Sequence, residues 1–484
     1  MTSPLLTALA DWQHDEHAAI IDAEGTHSYA QIAAHAASIA ATLRIARGER
    51  VAILAAPGAR FVASFFGVLA AGGCVVVLSP LHPPPETRFF CEDAGVRIAL
   101  LSAEHALTSL PCDTLLIESC TKTAKLPPAI DDAPALQLYT SGTTGKPKGA
   151  VLTHANLAVQ QTLLREAWGV TRDDVLLHAL PLHHMHGLCI ALLTALGARA
   201  TTHTTHFDAP AIWDAMHDAT SFMAVPAMYH RLFAAFDAAP EATRARWSEN
   251  AQRLRLATSG SAALPVTLAE RWRALTGKIP LERFGMTEIG VGLSNRLDGE
   301  RFPGCVGFSL PTVETRIVGD DGKDAETGEL WIRGPSVFSG YHQRDDETKR
   351  AFADGGWFKT GDTVTRDASL DGAPFKILGR TSVDILKSGG YKLSALEIEE
   401  ALREHPAVAE VAVVGLPDEA WGERVVACVV LRANCACEEA TLRDHVRARL
   451  AAYKVPKEVR FVGELPKNAL GKVMKKALAA NLAT

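Results

Sequence analysis

The densest chemistry in the chain lies in eleven consecutive residues, Tyr139-Thr140-Ser141-Gly142-Thr143-Thr144-Gly145-Lys146-Pro147-Lys148-Gly149. Glycines let backbone N–H groups wrap an anion, hydroxyls donate to phosphate oxygens and lysines supply charge, so the segment reads as a polyphosphate cradle. It is not a P-loop, which requires Gly-x-x-x-x-Gly-Lys-Ser/Thr. Here Gly142 and Gly145 stand three apart, and Lys146 is followed by Pro147, which lacks an N–H and disfavours helix at the residue before it. Such a composition also suits an ordinary surface loop. However, the apolar runs Ala135-Leu136-Gln137-Leu138-Tyr139 and Ala150-Val151-Leu152 hang it between two strands, which favours a fixed nucleotide-triphosphate site.

Further candidates follow in order. Pro181-Leu182-His183-His184-Met185-His186-Gly187 places three histidines within four residues, which invites a metal reading. No Asp, Glu or Cys lies nearby to complete a ligand set, and on a strand His184 would point away from its two neighbours. Met223 to Tyr229 is an apolar strand leading into a helix that carries Arg231. Ala257-Thr258-Ser259-Gly260-Ser261-Ala262 is a strand ending in a small-residue loop, and Leu281-Glu282-Arg283-Phe284-Gly285-Met286-Thr287-Glu288 repeats that logic. In Trp357-Phe358-Lys359-Thr360-Gly361-Asp362 a carboxylate directly after glycine at a strand end suits acceptance from two ribose hydroxyls.

The elements that must position these groups are legible from hydrophobic patterning. Ala18–Ile21, Val51–Ala55, Val75–Leu78 and Arg97–Leu101 are short apolar runs. Between them lie amphipathic stretches at Tyr29–Leu43, before Gly72 and after Pro85. Strand and helix in alternation imply an α/β fold with mostly parallel sheets covered by helices. Thr153 to Leu157 marks a helix start, and Val175–Leu180 a buried strand. Beyond residue 380 the strands Val411–Val414 and Val425–Val430 and the helix Ala440–Ala451 give a smaller α+β unit.

Composition narrows the function. The net charge of −6 and a pI near 6.3 leave no basic footprint for nucleic acid. Nine scattered cysteines without a Cys-x-x-Cys pair imply neither a disulfide framework nor a zinc site, and they fit the reducing cytoplasm. Met1 to His17 lacks the basic-then-apolar pattern of a signal peptide. Val62–Ser79 carries no charge, but Gly72-Gly73 divides it into a buried helix and a buried strand, so no membrane span is expected.

The cradle resembles the signature loop of the adenylate-forming superfamily: acyl-CoA synthetases, adenylation domains of peptide synthetases, and luciferases. Matching segments extend over essentially the whole chain. The resemblance implies a large N-terminal domain, 1–380, with the ATP and acid pocket, and a mobile C-terminal domain, 381–484, that rotates. Thr140, Ser141, Gly142, Thr143, Thr144, Gly145, Lys146 and Lys148 would bind the nucleotide phosphates, and Phe284 would stack on adenine beside Gly285 and Met286. Thr287 would touch phosphate, Glu288 with Thr143 would serve Mg2+, and Asp362 and Arg380 would hold the ribose. His184 matches the histidine beside the acyl pocket, where His183 replaces a commoner Phe. Gly389 and Gly390 would let the pantetheine arm of coenzyme A pass, and Lys472, in Leu465 to Val473, aligns with the catalytic lysine. The linker Thr381-Ser382-Val383-Asp384 departs from the usual pattern by one residue, so the hinge is placed near Ser382 without naming the pivot.

A carboxylate is a poor electrophile, and such enzymes spend ATP to make it an acyl-adenylate that a thiol then attacks. Arg231 and Arg283 fall in segments expected to line the acid pocket. A buried arginine needs an anion, either a protein carboxylate such as Glu282 or a second carboxylate on the substrate. Val225-Pro226-Ala227-Met228-Tyr229-His230-Arg231, Ser259-Gly260-Ser261-Ala262-Ala263-Leu264-Pro265 and Ser382 to Tyr391 are similar to malonyl-CoA synthetases. That resemblance implies ATP, Mg2+ and coenzyme A with a dicarboxylic acid, malonate and in reach methylmalonate, its distal carboxylate near Arg231, Arg283 and Ser261. The rivals are a ligase for another short or aryl acid, an amino-acid adenylation enzyme, for which the region of His184 offers no amine-binding Asp, and a catalytically inert nucleotide-binding regulator.

Overall fold

The computed structural model describes residues 3–126, 134–140, 147–467 and 473–483. Two parallel-rich sheets frame the large domain. In one, Pro134–Thr140, Cys74–Val77, Arg50–Leu54, Ile98–Leu101 and Asp113–Leu116 run parallel, and Lys148–Thr153 and Gly340–Tyr341 add an antiparallel edge. In the other, Leu281–Met286, Leu256–Ser259, Ser221–Ala224, Val175–His178, Thr201–Thr204 and Ala18–Asp22 run parallel, with Gly290–Ser294 and Gly25–Ser28 antiparallel at the flanks. An antiparallel sheet containing Thr327–Arg333, Trp357–Arg366 and Phe375–Arg380 completes the domain.

These elements form for local reasons. Cys74–Val77 is β-branched apart from its cysteine and buried at every position, as a strand covered on both faces requires. The uncharged stretch resolves as expected into the helix Ala59–Ala70, a left-handed Gly72 and that strand. Among the described residues no helix is long and apolar enough to cross a membrane. The helix Ala59–Ala70 buries nearly all its faces, and Gly67 lets it approach Ile39 of the helix Tyr29–Thr42, where a Cβ would sit 2.8 Å from Ile39 Cβ. Two helix starts carry reciprocal capping boxes, Ser28 with Gln31 and Thr153 with Asn156, each worth about 1 kcal/mol. One continuous apolar cluster, with Trp12, Tyr29, Phe61, Phe65 and Trp168 among its largest members, binds both parallel sheets to the helices between them.

The small domain is built on the strands Tyr391–Ser394, Ile385–Ser388, Gly422–Leu431 and Val408–Asp418, with Glu458–Phe461 parallel to Gly422–Leu431. Alternation along the two long strands separates two apolar faces. Val411, Val413, Val425 and Val429 pack on Ile398, Leu402, Leu442 and Val446, whereas Ala412, Val414, Val426 and Cys428 pack on Leu465 and Leu478. Helices therefore cover both sides. The turn Thr381 to Asp384 leads from the strand Phe375–Arg380 into Ile385–Ser388.

Lys475 opens the last helix, Lys475–Ala483, and is largely buried. Its Nζ lies 2.5 Å from Asp384 Oδ1 and 2.6 Å from Glu399 Oε1, with one-tenth of the side chain exposed. Burial pulls the ammonium pKa down, but Glu399 and Asp384 outweigh it and hold the pKa above its ordinary value. Asp384 Oδ2 in turn accepts the Arg380 N–H at 3.0 Å, and Glu399 Oε1 accepts that of Val413 at 2.8 Å. Lys475→Met strands two carboxylates, so urea unfolding of the small domain should show a loss of about 3 kcal/mol. Lys476→Met, at an exposed position, should stay within about 0.5 kcal/mol of wild type.

Candidate active site

The strand Pro134–Thr140 and its antiparallel partner Lys148–Thr153 lead into and out of the cradle, with Thr140 opposite Lys148 and Tyr139 opposite Gly149. Ser141 to Lys146 lie outside the described residues. The base of the hairpin is rigidly held. Tyr139 stacks on Phe90 at 4.2 Å between centroids, and its hydroxyl donates to Asp93 Oδ2 at 2.9 Å. Asp93 also pairs with Arg344 at 2.6 Å, and Arg50 donates to Gln137 at 2.6 Å. A side chain on Gly149 would collide with Gln137. Lys148 pairs with Glu347, and its ammonium stands 5.3 Å from the centre of the Tyr341 ring.

Tyr341 joins this lysine to the next predicted group, because its hydroxyl donates to Glu288 Oε1 at 2.8 Å. Glu288 follows the strand Leu281–Met286 and is buried. Burial raises its carboxyl pKa, and the hydrogen bond from Tyr341 and the charges of Arg380 and Lys148 oppose that rise. Phe284, Gly285, Met286 and Thr287 are half-buried along the strand and the turn after it. Gly285 packs against the Gly290 carbonyl, where a Cβ has no room. Asp362 faces Arg380 across the antiparallel pair Trp357–Arg366 and Phe375–Arg380, their side chains 3.5 Å apart. Arg380 also donates to the Thr360 carbonyl, and Gly361, at φ 71°, leaves room for its guanidinium. Lys148, Tyr341, Glu288, Arg380 and Asp362 therefore form one polar neighbourhood beside the cradle.

The acid end is built differently. Alternation puts Glu282 and Arg283 on opposite faces of their strand. Glu282 is buried and takes the Gly304 N–H at 2.9 Å, and burial raises its pKa to about 8. It does not pair with Arg283. The Arg283 guanidinium is buried over Gly260, where a Cβ would come within 2.5 Å of Arg283 Cζ. Its Nε and Nη2 have no hydrogen-bond acceptor among the described residues, and burial lowers its pKa to about 9. Ser261, held at φ 68°, lies 3.3 Å by its Oγ from His186 Nδ1, and His186 Nε2 is buried without a partner. His186 was assigned no role from sequence, although it stands in the histidine segment. Tyr341 carried no sequence signal.

His183 and His184 do not lie on a strand and do not point apart. Their ring centroids are 4.0 Å from each other, and His183 meets His82 edge-on at 4.9 Å, just before the π-helical stretch His186–Leu192. No group of three or more His, Cys, Asp or Glu side chains suited to a metal occurs among the described residues. Arg231, in the helix Pro226–Ala238, is exposed, with its guanidinium 4.5 Å from the centre of the Phe207 ring and no ion pair among the described residues. The structural contacts therefore do not link Arg231 to Arg283. Gly389 and Gly390, both at positive φ, make the tight turn between Ile385–Ser388 and Tyr391–Ser394, and Gly389 packs against Trp421. Lys472 lies outside the described residues, and Lys467 pairs with Val473 across its segment.

Residues 9–342 match the family described as AMP-binding enzyme, and residues 397–472 the AMP-binding enzyme C-terminal domain. The chain belongs to this family and is an adenylate-forming CoA ligase. Its relatives include the mitochondrial malonate–CoA ligase ACSF3 of Mus musculus, 38% identical over 96% of this chain and 88% of that protein. Among solved structures, ATP-bound MatB from Rhodopseudomonas palustris superposes with a TM-score of 0.91 at 34% identity, covering 100% of this chain and 99% of the other. A malonyl-CoA ligase ternary product complex with methylmalonyl-CoA and AMP gives 0.69 at 38% identity, covering 96% of this chain and 100% of the other.

The buried histidines make a pH prediction. Burial, with His184 and His82 nearby, lowers the His183 pKa to about 2, and burial with His82 nearby lowers that of His184 to about 4, from 6.5. Such groups bind protons more readily when unfolded, so stability is full above pH 6.5 and falls as the pH drops below it. Replacing His183 with Phe should remove about 2 kcal/mol of the stability lost between about pH 7 and 5, read from urea midpoints at both values.

Proposed function

We propose that the chain joins malonate to coenzyme A: malonate and ATP give malonyl-adenylate and diphosphate, and the thiol of coenzyme A then displaces AMP to give malonyl-CoA. The observation that carries this reading is Arg283, a buried guanidinium without a protein carboxylate among the described residues. A substrate that brings its own second carboxylate supplies the missing anion and accepts from Nε and Nη2. A monoacid leaves that desolvation uncompensated. Ser261 and His186 flank the site, and Arg231 is the second candidate contact. The malonate–CoA ligase relatives support the same substrate class, and methylmalonate falls within it.

At the other end, the cradle residues Ser141 to Lys146 with Thr140 and Lys148 would hold the phosphates, Phe284 the adenine, and Asp362 and Arg380 the ribose. Attack of one carboxylate on the α-phosphorus brings two anions together, and Lys472 would supply the positive charge that this requires. Glu288 fits a magnesium site, because it is a single buried carboxylate fixed by Tyr341. Magnesium commonly takes one or two protein oxygens and completes its shell with phosphate and water. Bound there with Thr143, it would neutralise phosphate charge.

We place the domain boundary at 380/381, with rotation about Thr381 to Asp384 exchanging adenylation for thioester formation past Gly389 and Gly390. The arrangement seen here resembles the ATP-bound relative more than the product complex, despite the higher identity of the latter, which supports two domain orientations. All nine cysteines are free, which supports a reducing compartment such as the cytoplasm.

Diphosphate release measured with malonate, methylmalonate, succinate, acetate and benzoate tests the reading, and malonate should lead. Arg283→Leu should cost about 10²–10³ in kcat/KM for malonate and much less for acetate, and Arg231→Ala should follow the same pattern more weakly. Equal losses on both acids would sink the dicarboxylate assignment. Lys472→Ala should lose adenylation by orders of magnitude and retain thioester formation from supplied malonyl-adenylate.

A further inference from the structure

The helix Val266–Thr276 begins after Pro265 and has no side-chain cap of its own. Its first N–H, from Val266, donates to Glu400 Oε1 at 2.8 Å, and Glu400 belongs to the small-domain helix Ala395–Arg403. A carboxylate there satisfies an orphan donor and is favoured by the helix dipole. Arg403 Nη1 holds the other oxygen of Glu400 at 2.9 Å, so the carboxylate is steadied from behind. A second contact between the domains, Lys392 with Asp320, joins side chains that are half to four-fifths exposed and adds little in water.

The capped helix directly continues the loop Gly260 to Pro265. Gly260 lies under the Arg283 guanidinium, Ser261 reaches His186, and Leu264 donates its N–H to Glu282. The charge of Glu400 is also felt at Glu282, next to Arg283 on the strand. One small-domain carboxylate therefore holds the far end of a loop whose near end walls the buried guanidinium.

We propose that Glu400 is a positioning residue for adenylation, docking the small domain onto the acid-pocket loop and so fixing the domain orientation in which Lys472 serves the first half-reaction. The inference rests on the functional reading above. Rotation for the second half-reaction withdraws Glu400 from Val266, so thioester formation does not use the contact.

The two half-reactions separate the possibilities: malonate-dependent ATP–diphosphate exchange, and thioester formation from supplied malonyl-adenylate. Glu400→Ala should slow exchange about tenfold and leave thioester formation within about twofold. Glu400→Gln, which keeps an acceptor oxygen for Val266, should recover part of the loss, and Glu404→Gln, at an exposed position one turn on and paired with Arg449, should match wild type. Exchange unchanged in Glu400→Ala, or both half-reactions falling together, overturns the inference. Wild-type protein that exchanges diphosphate with none of the acids overturns the functional reading instead.

Discussion

A guanidinium removed from water without a counter-ion is costly, and Arg283 is buried with no ion pair among the described residues. The effective penalty for a buried, unpaired charge is several kcal/mol. Burial lowers the Arg283 pKa only to about 9, so the group stays charged at neutral pH, and the histidines around it are kept neutral. His186 sits well below its ordinary pKa through burial, then Arg283 and His178, and His178 falls to about 4 by burial alone. Among the described residues no carboxylate pairs with the arginine, although Glu282 is its immediate neighbour in sequence. Strand alternation directs that acid to backbone N–H groups on the other face, where burial keeps it from competing as an anion at neutral pH.

The same strand carries both kinds of recognition. Arg283 lies near its start and Glu288 just past its end, so an extended backbone rising about 3.3 Å per residue sets the spacing between the proposed acid-binding and nucleotide-binding groups. The parallel order of the sheet then brings the C-terminal ends of Leu256–Ser259 and Val175–His178 to this region, which delivers Ser261 and the histidines to one side of the strand. Loops at the carboxyl ends of parallel strands are the usual place for a ligand in such sheets. Side chains from distant parts of the sequence thus meet without long excursions of the chain.

Much of this was legible from residue order alone because the signals are local. Periodicity located the parallel strands and the helix between Ala59 and Ala70, and paired glycines explained an uncharged stretch that mimics a membrane span. Asp362 stood out because it follows a glycine, Glu288 and Arg380 because their segments match the family's motifs, and the structure brings the three into one polar neighbourhood. Tyr341 was missed because a lone tyrosine after a glycine has no distinguishing context, and its importance comes from a strand pairing with Lys148–Thr153 nearly two hundred positions away. The course of the histidine segment was not legible, since an apolar run ending in proline reads the same whether it continues extended or turns into a π-helical coil. The burial of Lys475 has no local signal either: its partners, Asp384 and Glu399, lie 76 or more residues earlier.

Those partners bear on how the small domain moves. Asp384, Glu399 and Lys475 tie the joining turn, the helix Ala395–Arg403 and the start of the last helix into one charged cluster, and Lys472 stands three residues before that helix. The contacts that cross to the large domain among the described residues are of another kind, chiefly isolated polar links such as Glu400 to Val266 and Lys392 to Asp320. Small polar interfaces between domains favour relative motion, whereas a buried charge cluster resists distortion because each broken link leaves an uncompensated group. A relative movement of the domains would break this weak set, while the cluster's own link toward the large domain, the Arg380 N–H to Asp384, sits at the joining turn itself.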